Sequence, residues 1–196
     1  MDLQQRVTNI LTKPKEEWGV IASEPADLQT LYKEYIILLA AIPAICRFVG
    51  LTLIGVPTFL AGYFRIGFIT GLVHLIVGFV FSLISIFIAA FIVEKLAPTF
   101  QSRGNLVQAL KMVAYAHTPV WLAGVLNLYP PLSVLILIAL IYAIYLYYLG
   151  LPSVMQTPPD KVIPYMIISA LVIIVVSIVT AGIAGVVTGV GSIARF

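Results

Sequence analysis

From Tyr35 onward the chain alternates long apolar runs with short polar breaks. Five runs stand out, over about 35–57, 67–93, 105–126, 131–150 and 163–188. A helix rising about 1.5 Å per residue needs about 20 residues to cross a hydrocarbon core about 30 Å thick, and each run reaches that length. Continuous apolar runs exclude the short alternating strands of a membrane β-barrel. The pattern therefore predicts an all-α polytopic membrane protein, a bundle of five transmembrane helices spanning residues 34–190. The third run is the least apolar: "KMVAYAHTPVWLAG" at 111–124 carries Lys111, His117 and Pro119. Pro119 takes a backbone donor from the carbonyl of Tyr115, which predicts a kink.

The first 33 residues have a different pattern. Leu3, Val7, Ile10 and Leu11 fall on one helical face, which predicts a short amphipathic helix at the membrane surface. Pro14 suits the first position of a second helix, with Glu16 and Glu17 in its first turn. Trp18 and Ile21 are then expected at the lipid boundary, where Trp is enriched. Residues 1–33 thus read as a cytoplasmic or interfacial segment, and 191–196 as a short tail.

Composition agrees: 61% of the 196 residues are hydrophobic and 10% charged, against about a quarter charged in soluble domains. No removable signal peptide is expected, because the N-terminal segment is charged and no apolar core begins before Tyr35. The single cysteine, Cys46, cannot form an intramolecular disulfide.

Charge placement fixes an expected orientation. Arg6, Lys13, Lys15, Lys33, Lys95, Arg103 and Lys161 fall on one side of a five-span path, and only Arg65 and Arg195 on the other. The positive-inside rule puts the N-terminus in the cytoplasm and the C-terminus outside the cell membrane. Omitting the third span would carry Lys161 outside and invert the last helix. The net charge of +3 is explained by this asymmetry, and no nucleic-acid partner is expected.

The candidate chemistry lies inside the spans. Counted along the helices, Arg47, His74 and His117 reach comparable depths and form a candidate intramembrane polar or ligand site. Glu94 and Lys111 lie near the inner interface, where they either pair or each reach water. Gly67, Gly71 and Gly78 on the second span, with His74, Ser82 and Ser85, form one small-residue face. Ala181, Gly185 and Gly189 form another on the fifth span. Such faces let helices pack closely, within a chain or between chains. No phosphate loop, metalloprotease histidine pair or nucleophile elbow is present. A closed zinc site would need Cys46, His74, His117 and a carboxylate to converge, so no metal and no cofactor is expected.

The order of several segments resembles bacterial and archaeal members of the Yip1 family. These are "ILTKPKEEWGVIASE", "YIILLAAIPAI", "EKLAPTF", "ALKMVAYAHTPVWLAGVL" and "YLYYLGLPSVMQTPPDKVIPY", covering about residues 6–180. The resemblance implies five membrane helices with a cytoplasmic N-terminus, and it brings no catalytic residues. Eukaryotic relatives are associated with Rab GTPases and vesicle traffic, but neither their longer cytoplasmic N-terminal region nor that role is expected here. The expectation is a non-enzymatic integral membrane protein that associates with itself, with other membrane proteins or with membrane lipids. The alternative is a small transporter or channel built on Arg47, His74 and His117.

Overall fold

Helix α1 (Leu3–Thr12) opens the fold, and a computed structural model of the chain describes residues 2–58 and 62–187. Lys13 breaks α1 with extended φ, and Pro14 then starts α2 (Pro14–Ser23), where its missing N–H costs nothing. The two form a short helical hairpin. After it, a continuous helix runs over Leu28–Ile54: α3 (Leu28–Leu31), a π-turn, α4 (Ile37–Val49) and a second π-turn. Asp27 caps it, accepting from the Thr30 backbone N–H at 2.9 Å and the Thr30 hydroxyl at 2.7 Å. These bonds, the backbone one foremost, hold the Asp27 carboxyl below its ordinary pKa. Gly55 ends the helix at φ 89°, a conformation that disfavours side chains with a Cβ.

A two-stranded antiparallel hairpin follows, β1 (Val56–Thr58) with β2 (Gly62–Phe64), pairing Val56 with Phe64. This is the one departure from the all-helical expectation among the described residues, and it is six residues of an inter-helix connection. Next come α5 (Phe68–Leu96), α6 (Leu106–Ala123), α7 (Ile136–Val154) and α8 (Val162–Val187), joined by short 3₁₀ turns. Asn105 caps α6 by accepting from the Gln108 N–H at 3.0 Å.

Four helical segments are long and apolar enough to cross a membrane: Leu28–Ile54, Phe68–Phe100, Pro130–Val154 and Pro159–Val176. The third expected span, α6, is not among them, and its position explains why. It packs against α4, α5 and α7, with α1 and α3 also touching it. Eleven of its eighteen residues are buried, whereas α5 and α7 present many large apolar side chains outward. A helix wrapped in protein need not be as apolar as one facing lipid.

Contacts between connections define two ends of the bundle. At the first end lie α1 and α2, the 97–105 connection and residues 155–161. There Arg103 N–H donates to the Met155 carbonyl at 2.8 Å, and Ser102 bonds Thr157 at 2.8 Å. At the other end the β-hairpin meets the 130–135 turn, and Gly50 faces the 124–128 turn. A Cβ on Gly50 would stand 2.0 Å from the Asn127 carbonyl oxygen, so only glycine lets the turn seat there.

Candidate functional site

The N-terminal hairpin turns its large apolar side chains into the protein. Trp18 is fully buried and Ile21 nearly so, inside the protein rather than at the expected lipid boundary. The Trp18 ring meets Tyr115 edge-on at 6.5 Å. It lies over Gly150, where a Cβ would stand 3.0 Å from the indole. Tyr142 adds a tie from α7, donating to the Leu11 carbonyl at 2.7 Å. The hairpin thus rests on Tyr115 of α6 and on Gly150 and Tyr142 of α7.

Beneath the hairpin is a buried ionic network. Arg6 on α1 donates through one guanidinium nitrogen to Glu17 and through another to Glu24. Asn9 Nδ2 donates to the other oxygen of Glu17 at 3.0 Å. The guanidinium carbon sits 5.5 Å from the centre of the Tyr115 ring, a cation–π contact. Arg6 and Glu17 are each about 95% buried, while the Glu24 side chain is 38% exposed. Fork geometry lets one Arg serve two carboxylates, which Lys could not match.

Lys111 explains itself in this setting. Helix α2 ends at Ser23, and its last carbonyls have no intrahelical donors. Lys111 Nζ donates to the Ile21 carbonyl at 2.9 Å and to the Glu24 carbonyl, and Gln108 Nε2 reaches the Ala22 carbonyl at 3.5 Å. Three residues apart on α6, these two side chains cap the negative end of another helix. The cluster balances two cations, Arg6 and Lys111, against two carboxylates. Replacing Lys111 by Met keeps the stem and removes the donor. We expect Lys111→Met to lose about 1–3 kcal/mol of stability, read as a lower unfolding midpoint of the detergent-solubilised protein.

The network continues along α6. Tyr115 meets the Tyr35 ring at 4.5 Å, and the Tyr35 hydroxyl pairs with Thr118 Oγ1 at 2.6 Å. Thr118 also reaches back to the Ala114 carbonyl at 3.5 Å. Thus the polar atoms next to Pro119 are held by a side chain of the Leu28–Ile54 helix.

The three residues expected to share an intramembrane layer have separate settings. Arg47 is exposed on α4. His74 is half-buried on α5, and its Nδ1 lies 2.7 Å from the Thr70 carbonyl, so that nitrogen carries the hydrogen. His117 is half-buried and meets Trp121 edge-on at 5.1 Å. Among the described residues, no hydrogen bond, ion pair or ring contact joins any two of the three. Likewise no group of three His, Cys, Asp or Glu residues placed to hold a metal is found among them.

Glu94 and Lys111, expected as a pair or as solvated groups, divide differently. Glu94 pairs with its neighbour Lys95 at 3.0 Å. Lys111 is buried under the hairpin, because α2 occupies the space in which Lys111 was expected to find Glu94 or water. Of the small-residue positions, Gly71 makes a close approach: a Cβ there would stand 2.3 Å from Thr52 and 3.1 Å from the Phe48 ring. At Gly67 and Gly78 a Cβ would meet no other part of the described residues within 4 Å, and Gly185 lies on α8. Ala181 belongs to α8, and Gly189 lies outside the described residues.

Arg6, Glu17 and Glu24 were not anticipated, although their spacing carried a signal. Arg6 stands three residues after Leu3 and four before Ile10, within the apolar face of α1. Glu17 stands four before Ile21 on the buried face of α2. Opposite charges on the inner faces of two consecutive short helices point to each other rather than to water.

Residues 8–181 match the Yip1 domain profile. The chain belongs to the Yip1 family. Within that family it is similar to the inner membrane protein YohC of Escherichia coli K12 and to its counterpart in Escherichia coli O6:H1 strain CFT073. Each is 28% identical over 158 residues, 79% of this chain and 81% of the relative. No solved structure matches significantly. The family match, with four helices apolar enough to cross a bilayer, makes this Yip1-family chain an all-α multi-pass membrane protein in contact with lipid. The matched region includes Glu17, Glu24 and Lys111, and Arg6 lies two residues before it.

Proposed function

We propose that this Yip1-family protein is a non-enzymatic component of the cytoplasmic membrane that works by association in the plane of the membrane, with itself, with other membrane proteins or with ordered lipid. It crosses five times, with α6 as the protein-wrapped third crossing, its N-terminus in the cytoplasm and its C-terminus outside. The inner-membrane designation of YohC supports the location, and the one-sided placement of basic residues supports the orientation.

The observation that carries this reading is where the polar groups go. Arg6, Glu17, Glu24 and Lys111 are spent on fastening the hairpin, leaving α5, α7 and α8 an outward surface of large apolar side chains. At Gly67, just before α5, and at Gly78 on α5, no other described part of the chain fills the place of a Cβ within 4 Å. Crosslinking in native membranes is expected to trap species larger than the monomer, or monomers that retain lipid through purification. Lone monomers without retained lipid would overturn the reading. Liposomes holding the pure protein are expected to pass no ion or proton current. A current lost in Arg47→Ala or His117→Ala would replace association with transport.

A further inference from the structure

The charges of this chain are divided between its two ends in a way that leaves two arginines without an aspartate or glutamate partner among the described residues. All eight acidic side chains, Asp2, Glu16, Glu17, Glu24, Asp27, Glu34, Glu94 and Asp160, belong to the end that carries the N-terminal hairpin. No aspartate or glutamate occurs from 35 to 93, from 95 to 159 or after 160. Yet Arg47 is exposed on the outside of α4, and Arg65 is exposed at the end of β2. Arg65 folds over the end of the Leu28–Ile54 helix, its Nε donating to the Ile54 carbonyl at 3.2 Å. Arg47 stands seven residues below Ile54, about 10 Å down the helix axis. Snorkelling along its flexible stem would carry the guanidinium toward that helix end.

The same end carries exposed aromatic side chains. Tyr63, Phe64 and Phe68 are each more than half exposed, and Tyr129 on the neighbouring turn is 39% exposed. Aromatic rings at the ends of membrane helices gather at the headgroup level. An exposed arginine within the hydrocarbon edge is costly unless an anion meets it, and the anion available at that level is a phosphodiester. We infer that Arg47 and Arg65 form a binding site for the phosphate of an anionic phospholipid in the leaflet at the β-hairpin end, with the acyl chains lying along α4. Guanidinium forks suit phosphate oxygens, and the anion replaces the carboxylate that this half of the chain lacks. The inference deepens the association reading above by naming an ordered lipid, and it rests on that reading for membrane insertion.

The test is native mass spectrometry of the full chain in detergent, titrated with phosphatidylglycerol, with diacylglycerol of the same chains, and with inorganic phosphate. Wild type is expected to retain phosphatidylglycerol over diacylglycerol. Arg47→Gln is expected to bind it about tenfold more weakly, the size of one lost charge-assisted contact. The Arg47→Gln/Arg65→Gln double variant is expected to lose the preference for phosphate, and Arg47→Lys to keep most of it, with the unfolding midpoints of the two Arg47 single variants unchanged. Equal retention by wild type and Arg47→Gln would overturn the site. So would equal retention of diacylglycerol, and inorganic phosphate binding as tightly as the lipid would reassign it to a soluble anion. Orientation is checked separately by labelling Thr58→Cys, in a Cys46→Ser background, with an impermeant maleimide on intact cells. Failure of that labelling removes the proposed orientation and leaves the lipid measurement standing.

Discussion

Arg6→Ala is expected to cost about 3–5 kcal/mol and to release the N-terminal hairpin from the bundle, because it strands a buried carboxylate. Glu17 is almost wholly inside the protein, and its remaining partner would be Asn9. Glu24 contributes less, since more than a third of its side chain reaches solvent, where the lost pair is screened. The buried pair need not be more stabilising than an apolar contact of the same shape. Arg6→Leu combined with Glu17→Leu should therefore recover most of what Arg6→Ala loses. The chain has two tryptophans, so Trp121→Phe leaves Trp18 as the reporter. Arg6→Ala in that background should shift Trp18 emission to the red and lower the unfolding midpoint. An unchanged spectrum and midpoint would mean that the network does not hold the hairpin.

The sequence made the large features of this fold plain. Four of the five apolar runs correspond to helices with the length and hydropathy to cross a bilayer, because lipid-facing residues must be apolar whatever their neighbours. Helix α6 was the ambiguous one for the complementary reason. Its side chains answer to protein, so Lys111 and Thr118 are chosen by partners far away in the sequence, such as the Ile21 carbonyl and Tyr35. A hydropathy window sees only the cost of Lys111 and not the helix end that it caps. The same limit misplaced Trp18. An aromatic residue on a short amphipathic helix suits lipid or protein equally, and what decides between them is Gly150, more than a hundred residues later. Depth along a helix, as used to group Arg47, His74 and His117, fixes height but not direction around the axis. Arg47 faces outward while His117 leans on Trp121, so similar depths did not imply contact.

Trp18→Ala should match Arg6→Ala in size, with a loss of about 3–5 kcal/mol from removing a fully buried aromatic side chain. The loss comes from packing. The indole Nε1 has no hydrogen-bond partner among the described residues, so Trp18→Phe sacrifices no bond and should cost clearly less. The site on α7 is shaped for this ring. A Cβ at Gly150 would stand 3.0 Å from Trp18 Cζ2 and 3.1 Å from Met112 Cγ. Gly150→Val should therefore overpack the junction and cost about 1–3 kcal/mol. In the Trp18→Ala background the added methyls enter the vacated space, and most of that cost should disappear. The double variant must then be less destabilised than the sum of the singles, by about 0.5 kcal/mol or more for residues in contact. Limited proteolysis at the 24–27 connection and the unfolding midpoint read the same cycle in two ways. Additive losses in both would show that the hairpin does not rest on α7 through this ring.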